Sequence, residues 1–473
     1  MRLRQDRQGR LEFQRSTLKV TNEFYDRYAA ISEMLDAAPE VLRLLDADVA
    51  GAMRKEKRRG RALGRRCAFT SENVLRALIC QVVEGLSLRE VVVRIDDSSA
   101  LRTFVRIHDD PMMDYSTLCK LRNAVQPDTW KQINRAFTKF AISSACIEGG
   151  RLRLDTTLVE TNVRWPSDSG LLWDVSRVLA RLVRRARELV SMVADDRRLR
   201  DKAAKKLQIA VAREAGRRRP RLERMKRLYV ALIGRTEAIR EIARTAASDL
   251  DEAIADHRLH FLEACVAGEL AKELRHFVAL GRRVCDQARR RVLADEQVPS
   301  AQKLYSIFEP HTELIKRGKA GKPIEFGHMV SLAQVNEKFI SSYAVFERRP
   351  SEHELLEPIV RDHKKLFGHA PSEVSADKAY HQADAVARVA DQVDLVAIGR
   401  RRSKDEQDAP QETDALFKIA QAFRAGIEGT ISFLKRSLRM FRCFDKGLEH
   451  FSAAIGRIVF GHNLIVLARH GPA

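Results

Sequence analysis

Three carboxylates sit on segments stiff enough to hold them in place. Asp155 interrupts "RLRLDTTLVETNV" (151–163), an alternating stretch rich in β-branched residues. That pattern reads as a strand, and strands disfavour aspartate. Asp377 lies in "SEVSADKAY", a second short strand, and Glu428 in the helical "FRAGIEGTISFLKR". Carboxylates brought together repel one another, and hard divalent cations offset that repulsion. Mg²⁺ takes oxygen ligands, uses few protein carboxylates and keeps sites for water and phosphate. Two such ions about 3.5–4 Å apart can hold the attacking and leaving oxygens of a phosphodiester. Taken singly, each acid has a plainer reading: Asp155 on an edge facing solvent, Asp377 at an ordinary strand end, Glu428 as a surface helical glutamate. Their order along the chain favours the shared site.

The helix around Glu428 has an apolar stripe of Ala420, Phe423, Ile427, Ile431, Leu434, Leu438 and Phe441, expected to face a core. Arg424, Glu428 and Lys435 fall within about 40° of one another at 100° per residue. One face therefore presents an acid flanked by two cations, suited to gripping phosphate oxygens. An ordinary i,i+4 ion pair with a surface lysine is the structural alternative. Gly426 and Gly429 flank the glutamate, and each costs a helix interior roughly 1 kcal/mol relative to alanine. They either admit a DNA backbone or mark a helix break.

The surrounding elements must bring these groups together. From Arg151 the predicted order is strand, large helical insert, hairpin, helix, strand, helix, strand, helix. The hairpin is "IEFGHMVSLAQV" and "FISSYAVFER", and the helix after it ends at Gly368. With the insert removed, three antiparallel-type strands precede strand–helix units, as in a ribonuclease-H-like α/β domain. There the first and fourth strands are neighbours and the last helix packs across their ends.

Upstream the chain reads as helical. "TSENVLRALICQVVEGLSLREVVVRI" has helical spacing, a break at Gly85 and a capping box from Ser87 to Glu90, together resembling a helix-turn-helix. Further helices are expected near Ser116 and at Asp128 after Pro127.

The charge is +21 over 473 residues, with a sequence pI near 9.9, which favours a nucleic acid partner over a merely solvated basic surface. Residues 175–298 carry 30 Lys and Arg against 18 Asp and Glu, most of that surplus. This block predicts long helices broken near Arg217, Arg218 and Arg219. They form either a structural arm or a clamp on a nucleic acid backbone. Seven scattered cysteines, without paired spacing, suit a reducing cytoplasm and indicate no zinc module. The basic start precedes no apolar stretch, so no signal peptide is expected. No run approaches the roughly 18 apolar residues of a membrane helix. Trp165 and Trp173 are expected to pack internally, with stacking on an unpaired base as the other option. His311, His328, His381 and His462 read as mostly structural.

At these residues the sequence resembles the insertion-sequence DDE transposases, of the ISNCY type with an InsH-like N-terminal domain. "LDTTLVETNVRWPSDSGLLWD" resembles that family's first-aspartate block and "SADKAY" its second, with Ala379 where glycine is more usual. "FRAGIEGTISFLKR" resembles the block of Arg, three residues, Glu, six residues, Lys. Gln421 stands where related transposases often carry a tyrosine. "GLSLREVVVRIDDSSALRTF" and "DYSTLCKLRN" resemble the N-terminal domain.

The resemblance implies that Asp155, Asp377 and Glu428 are catalytic and bind two Mg²⁺, with Mn²⁺ able to substitute. It implies that Arg424 and Lys435 support them on DNA. The implied activity is cutting at terminal inverted repeats and joining the 3′-OH to target DNA, with no covalent protein–DNA intermediate. The expected fold is an α/β ribonuclease-H-like catalytic domain with a large all-α insertion, plus an all-α N-terminal domain. The expected divisions are a basic helical region at 1–66, a DNA-binding domain at 67–148, catalytic segments 149–174 and 300–473, and the insertion 175–299. Expected partners are double-stranded transposon ends and target DNA, with a dimer or larger assembly on DNA, no membrane, and a bacterial-type cytoplasmic, nucleoid-associated location. The rival readings are a nuclease of the same fold that does not join, and a non-enzymatic DNA-binding helical protein.

Overall fold

The structure is a computed structural model and describes residues 15–58, 69–108, 110–191, 193–316, 323–400 and 414–470. The end of the basic tract past Arg58, Cys67 and the polar loop 401–413 lie outside them. The chain forms two compact units, one of 1–161 with 327–473 and one of 162–326.

The first unit opens with seven helices: α1 (Lys19–Ala37), α2 (Pro39–Arg58), α3 (Ser71–Val83), α4 (Leu88–Asp97), α5 (Ser99–Val105), α6 (Tyr115–Ala124) and α7 (Pro127–Ser143). Local chemistry sets several of their starts. Thr70 and Asn73 form a capping box on α3, and Ser87 and Glu90 form the expected one on α4. Gly85, between them, has φ +60, and a Cβ there would strike the Ser437 carbonyl. Pro127 occupies the first turn of α7, where its missing N–H costs nothing.

These helices also enclose a charged cluster. Arg76 is 1% exposed and reaches Glu72 (3.0 Å), Asp36 (2.8 Å), the Ser32 hydroxyl and the Phe104 carbonyl. Arg106 pairs with the same two acids. Burial lowers the pKa of Arg76, with Arg106 beside it adding to the effect and the acids opposing it.

The sheet follows. β1 (Arg151–Thr161) leads into the second unit, which holds α8 (Asp168–Leu189), α9 (Asp201–Ala215), α10 (Leu222–Ala255), α11 (Phe261–Ala288) and β2 (Glu313–Lys316). The chain re-enters the first unit in β3 (Ile324–Val335). It continues through β4 (Ile340–Val345), α12 (Leu356–Phe367), β5 (Glu373–Ala376), α13 (Ala383–Ala390), β6 (Leu395–Ile398), α14 (Ala415–Arg436), β7 (Arg442–Cys443) and α15 (Leu448–His470). Seven strands make one mixed sheet in the order β2-β3-β1-β5-β6, with β4 also on β3 and β7 also on β1. β3 runs antiparallel to β1, while β5 runs parallel to it.

Alternation along β1 divides two apolar layers. Leu152 and Leu154 join Val374, Ala376 and residues of α7, α12 and α13. Val159, with Val330 and Leu332, joins Ile427 and Leu434 of α14 and Ile455 of α15. α15 is long and apolar enough to meet the length and composition of a membrane span, contrary to the sequence expectation, yet 83% of its apolar window is buried inside the protein. It is the central helix of this core.

The second unit has its own core along α8, α10 and α11. A buried hydroxyl pair, Ser176 with Thr236 at 3.1 Å, and the close seat of Gly281 on Val175 set the spacing of these helices. Arg217, Arg218 and Arg219 lie exposed in the turn between α9 and α10. Glu214, only 2% exposed, organises that turn by accepting from the Arg221 N–H and pairing with Arg217 and Arg224. Trp165 is 70% exposed, edge-on to Phe326, and Trp173 packs partly buried on the core.

Replacing Glu72 by glutamine leaves two buried guanidinium groups sharing one acid. The expected loss is about 3–5 kcal/mol, read by urea unfolding with the buried Trp130 as the fluorescent probe. A midpoint equal to wild type would show that the cluster adds nothing.

Candidate active site

The register of β1 with β5 sets the site. Leu154 pairs with Ala376, so Asp155 and Asp377 come next on adjacent chains, and strands lie about 4.8 Å apart. Asp377 is the first residue past β5. Its carboxylate accepts the Lys378 N–H at 2.6 Å and caps the short 3-10 turn Lys378–Tyr380. Asp155 lies within β1, opposite Leu332, and its Oδ1 accepts the Thr156 N–H at 2.7 Å.

α14 crosses the same face. Gln421 donates to the carbonyls of Ala376 (3.3 Å) and Ala397 (2.5 Å), pinning the helix over the ends of β5 and β6. Arg153, two residues before Asp155 and therefore on its face, is 4% exposed. It donates to Gln334 Oε1 (2.8 Å) and to the Phe423 carbonyl (2.6 Å), with its guanidinium over the Phe423 ring. Gln334 donates in turn to Thr430. Burial, with Arg151 nearby, pushes Arg153 down to about 10.

A Cβ at Gly426 would run into Arg153 Nη1, whereas nothing lies within 4 Å of one at Gly429. Gly426 therefore admits a close approach, and the group that approaches is a protein guanidinium. The helix does not break there. It ends at Arg436, so Phe441, expected on its apolar stripe, falls outside the helix and is 48% exposed.

Arg424 bridges the acids. Its Nη2 stands 3.5 Å from Asp155 Oδ2 and its Nη1 3.2 Å from Glu428 Oε1, while its buried Nε has no partner. The Asp155 side chain is 14% exposed and that of Glu428 65%. Lys435 lies partly buried about 10 Å further along the helix axis. Burial pushes the Asp155 carboxyl up to about 6; Arg424 and the Thr156 N–H offset part of the rise, and the Asp377 and Glu428 charges add to it. Asp377, Glu428 and Arg424 thus all lie within electrostatic reach of Asp155.

Among the described residues no three acid, histidine or cysteine side chains stand close enough together to hold an ion directly. The donor chemistry still fits a hard divalent cation. The donors are carboxylate oxygens, and the most buried of them ionises with difficulty because burial takes it out of water. Arg424 offsets part of that cost.

Other groups sequence reasoning passed over. Thr156 donates to Glu352 Oε1 at 2.7 Å, from the turn before α12. The fully buried Tyr380 lies near Asp155, Glu352 and Asp377. Only Arg153 carried a sequence signal, its parity with Asp155. The histidines hold structure: His328 meets the Phe346 carbonyl, His462 the Lys338 carbonyl, and His311 pairs with Glu309.

Residues 24–124, spanning α1 to α6, match the family model of a transposase domain (DUF772). No curated protein and no solved structure matches the chain. The matched segment contains Asp36, Glu72, Arg76 and Arg106, and it supports a transposase-like role that involves DNA.

Two stability predictions follow from the geometry. Asp155 is harder to ionise folded than unfolded, so its contribution is full below about pH 4 and is lost as pH rises through about 6. Asp155→Asn should therefore stabilise the metal-free protein at pH 7.5 by on the order of 2 kcal/mol, measured by urea unfolding. Little gain is expected at pH 4, and destabilisation at pH 7.5 would contradict the assignment. Separately, Gly426→Ala should lower the unfolding midpoint, costing about 1–3 kcal/mol by overpacking Arg153. Gly429→Ala should raise it by up to about 1 kcal/mol through helix propensity.

Proposed function

We propose that the chain is an insertion-sequence DDE transposase whose first unit contains a ribonuclease-H-like catalytic domain, with Asp155, Asp377 and Glu428 as its acids. The observation that carries this reading is the juxtaposition of Asp155 and Asp377 on neighbouring parallel strands, with α14 laid across them and Arg424 joining Asp155 to Glu428. The strand order supports it too: β1, β3 and β4 form an antiparallel meander, and β5 and β6, joined through helices, extend the sheet in parallel from the other side of β1.

Two Mg²⁺, or Mn²⁺ in their place, would be held by the three acids and would stabilise charge on the attacking and leaving oxygens. The chain does the positioning. Arg153, Gln334 and Gln421 fix α14 on the sheet, and so fix Glu428 relative to Asp155. Arg424, released from its carboxylates, and Lys435 would take phosphate oxygens. Water attacks the phosphodiester at the transposon end and the 3′-oxygen leaves as a hydroxyl. That hydroxyl then attacks a target phosphate, exchanging one ester bond for another. The net positive charge draws double-stranded DNA, and Arg217, Arg218 and Arg219 add backbone contacts. Two ends held together require at least two copies on DNA. This reading goes with a bacterial-type cytoplasmic location, beside the DNA it acts on.

The test uses the full chain, labelled terminal-repeat duplexes, and pre-cleaved ends mixed with plasmid. Asp155→Asn should abolish cleavage and joining while duplex affinity stays within about twofold at fixed salt. Cleavage without joined product from pre-cleaved ends would reduce the protein to a nuclease. Activity that survives the substitution would remove Asp155 from the chemistry altogether.

A further inference from the structure

On the proposed metal-dependent reading, one stretch of β1 is incompletely explained. β5 leaves its edge after Leu154, and β7 takes that edge up again only at Glu160. Between those points the edge carries no strand, and side chains from three other places gather along it. Asp377 and Tyr380 come from the turn after β5, and Glu352 from the turn before α12. Thr156 joins them, donating to Glu352 Oε1 at 2.7 Å, and Arg349 reaches the same oxygen at 3.5 Å. The Glu352 side chain is only 11% exposed.

Tyr380 is the second and independent sign. It is 0% exposed, and its hydroxyl makes no hydrogen bond of normal geometry. Burial, opposed by the nearby Ser331 hydroxyl and assisted by Asp155, Glu352 and Asp377, holds that hydroxyl firmly protonated. A buried donor costs free energy while unpaired, and this one borders Asp155, Asp377 and Glu352. Water carried in by a cation would accept from Tyr380 and donate to Glu352. Mg²⁺ suits this arrangement because it surrenders its water reluctantly.

We propose that Glu352 and Tyr380 form an outer hydrogen-bonding shell for the hydrated divalent cation that Asp155 and Asp377 bind. Both residues act through water, as positioning groups. Outer-shell partners of this kind set metal affinity as well as orientation.

Calorimetric titration of the full chain with Mn²⁺, without DNA, tests this directly and reads no activity. Asp155→Asn should eliminate binding. Glu352→Gln and Tyr380→Phe should each weaken Mn²⁺ affinity about 10–100-fold. Tyr380→Phe keeps the buried ring and removes an unpaired hydroxyl, so its metal-free urea midpoint should equal or exceed that of wild type, and it decides the matter alone if Glu352→Gln fails to fold. Affinities for both variants within twofold of wild type, with Asp155→Asn still unable to bind, would overturn the outer shell and leave the catalytic reading standing. A wild-type chain that binds no Mn²⁺ would overturn both.

Discussion

A buried guanidinium, that of Arg153, decides where α14 can lie. It sits between β1 and the helix, donates to a helix carbonyl, and stacks on Phe423. Removing a guanidinium from water is expensive, and the cost is offset only if its donors are met. Gln334, held by Thr430, meets one of them, and Gly426 leaves the space. The helix cannot roll without breaking this set, so Arg424 and Glu428 stay over Asp155. A polar core contact here serves register, since apolar packing alone would tolerate several helix rotations.

The same strand serves two masters. Its even positions, Leu152 and Leu154, build an apolar layer with α7, α12 and α13. Its odd positions carry Arg153 and Asp155 toward α14. An aspartate whose carboxyl is pushed up to about 6 detracts from the fold at neutral pH. The strand can bear it because Leu152 and Leu154 on the other side are fully buried. Departures of this kind from a consistent fold are where functional sites are to be sought.

Much of this was legible in the residues, and the reasons are physical. The Ser87–Glu90 capping box and the β3–β4 hairpin are local, so they needed no tertiary information. The neighbouring placement of Asp155 and Asp377 followed from the order of strands and crossovers. The two short strands β2 and β7, of four and two residues, went unseen. Arg76 and Arg106 carried no sequence signal, since composition cannot tell a solvated arginine from one sealed against Asp36 and Glu72. Glu352 was invisible for the same reason: its partner Thr156 lies far off in sequence. Gly426 was read as admitting a DNA backbone or marking a helix break; in the fold the helix is unbroken and the Arg153 guanidinium takes that space.

The second unit departs and returns between two strands that pair directly, for Glu160 lies opposite Gly327. An entire helical bundle therefore occupies the place of a hairpin turn. Left as slack chain, a connection of that length would raise the entropic cost of closure by about 3 kcal/mol over a short turn. Once folded, the bundle presents its two ends already side by side, so a remote strand pairing becomes a near one. Such an architecture lets the bundle change in length or content without disturbing the sheet, provided only that the gap between entry and exit is kept.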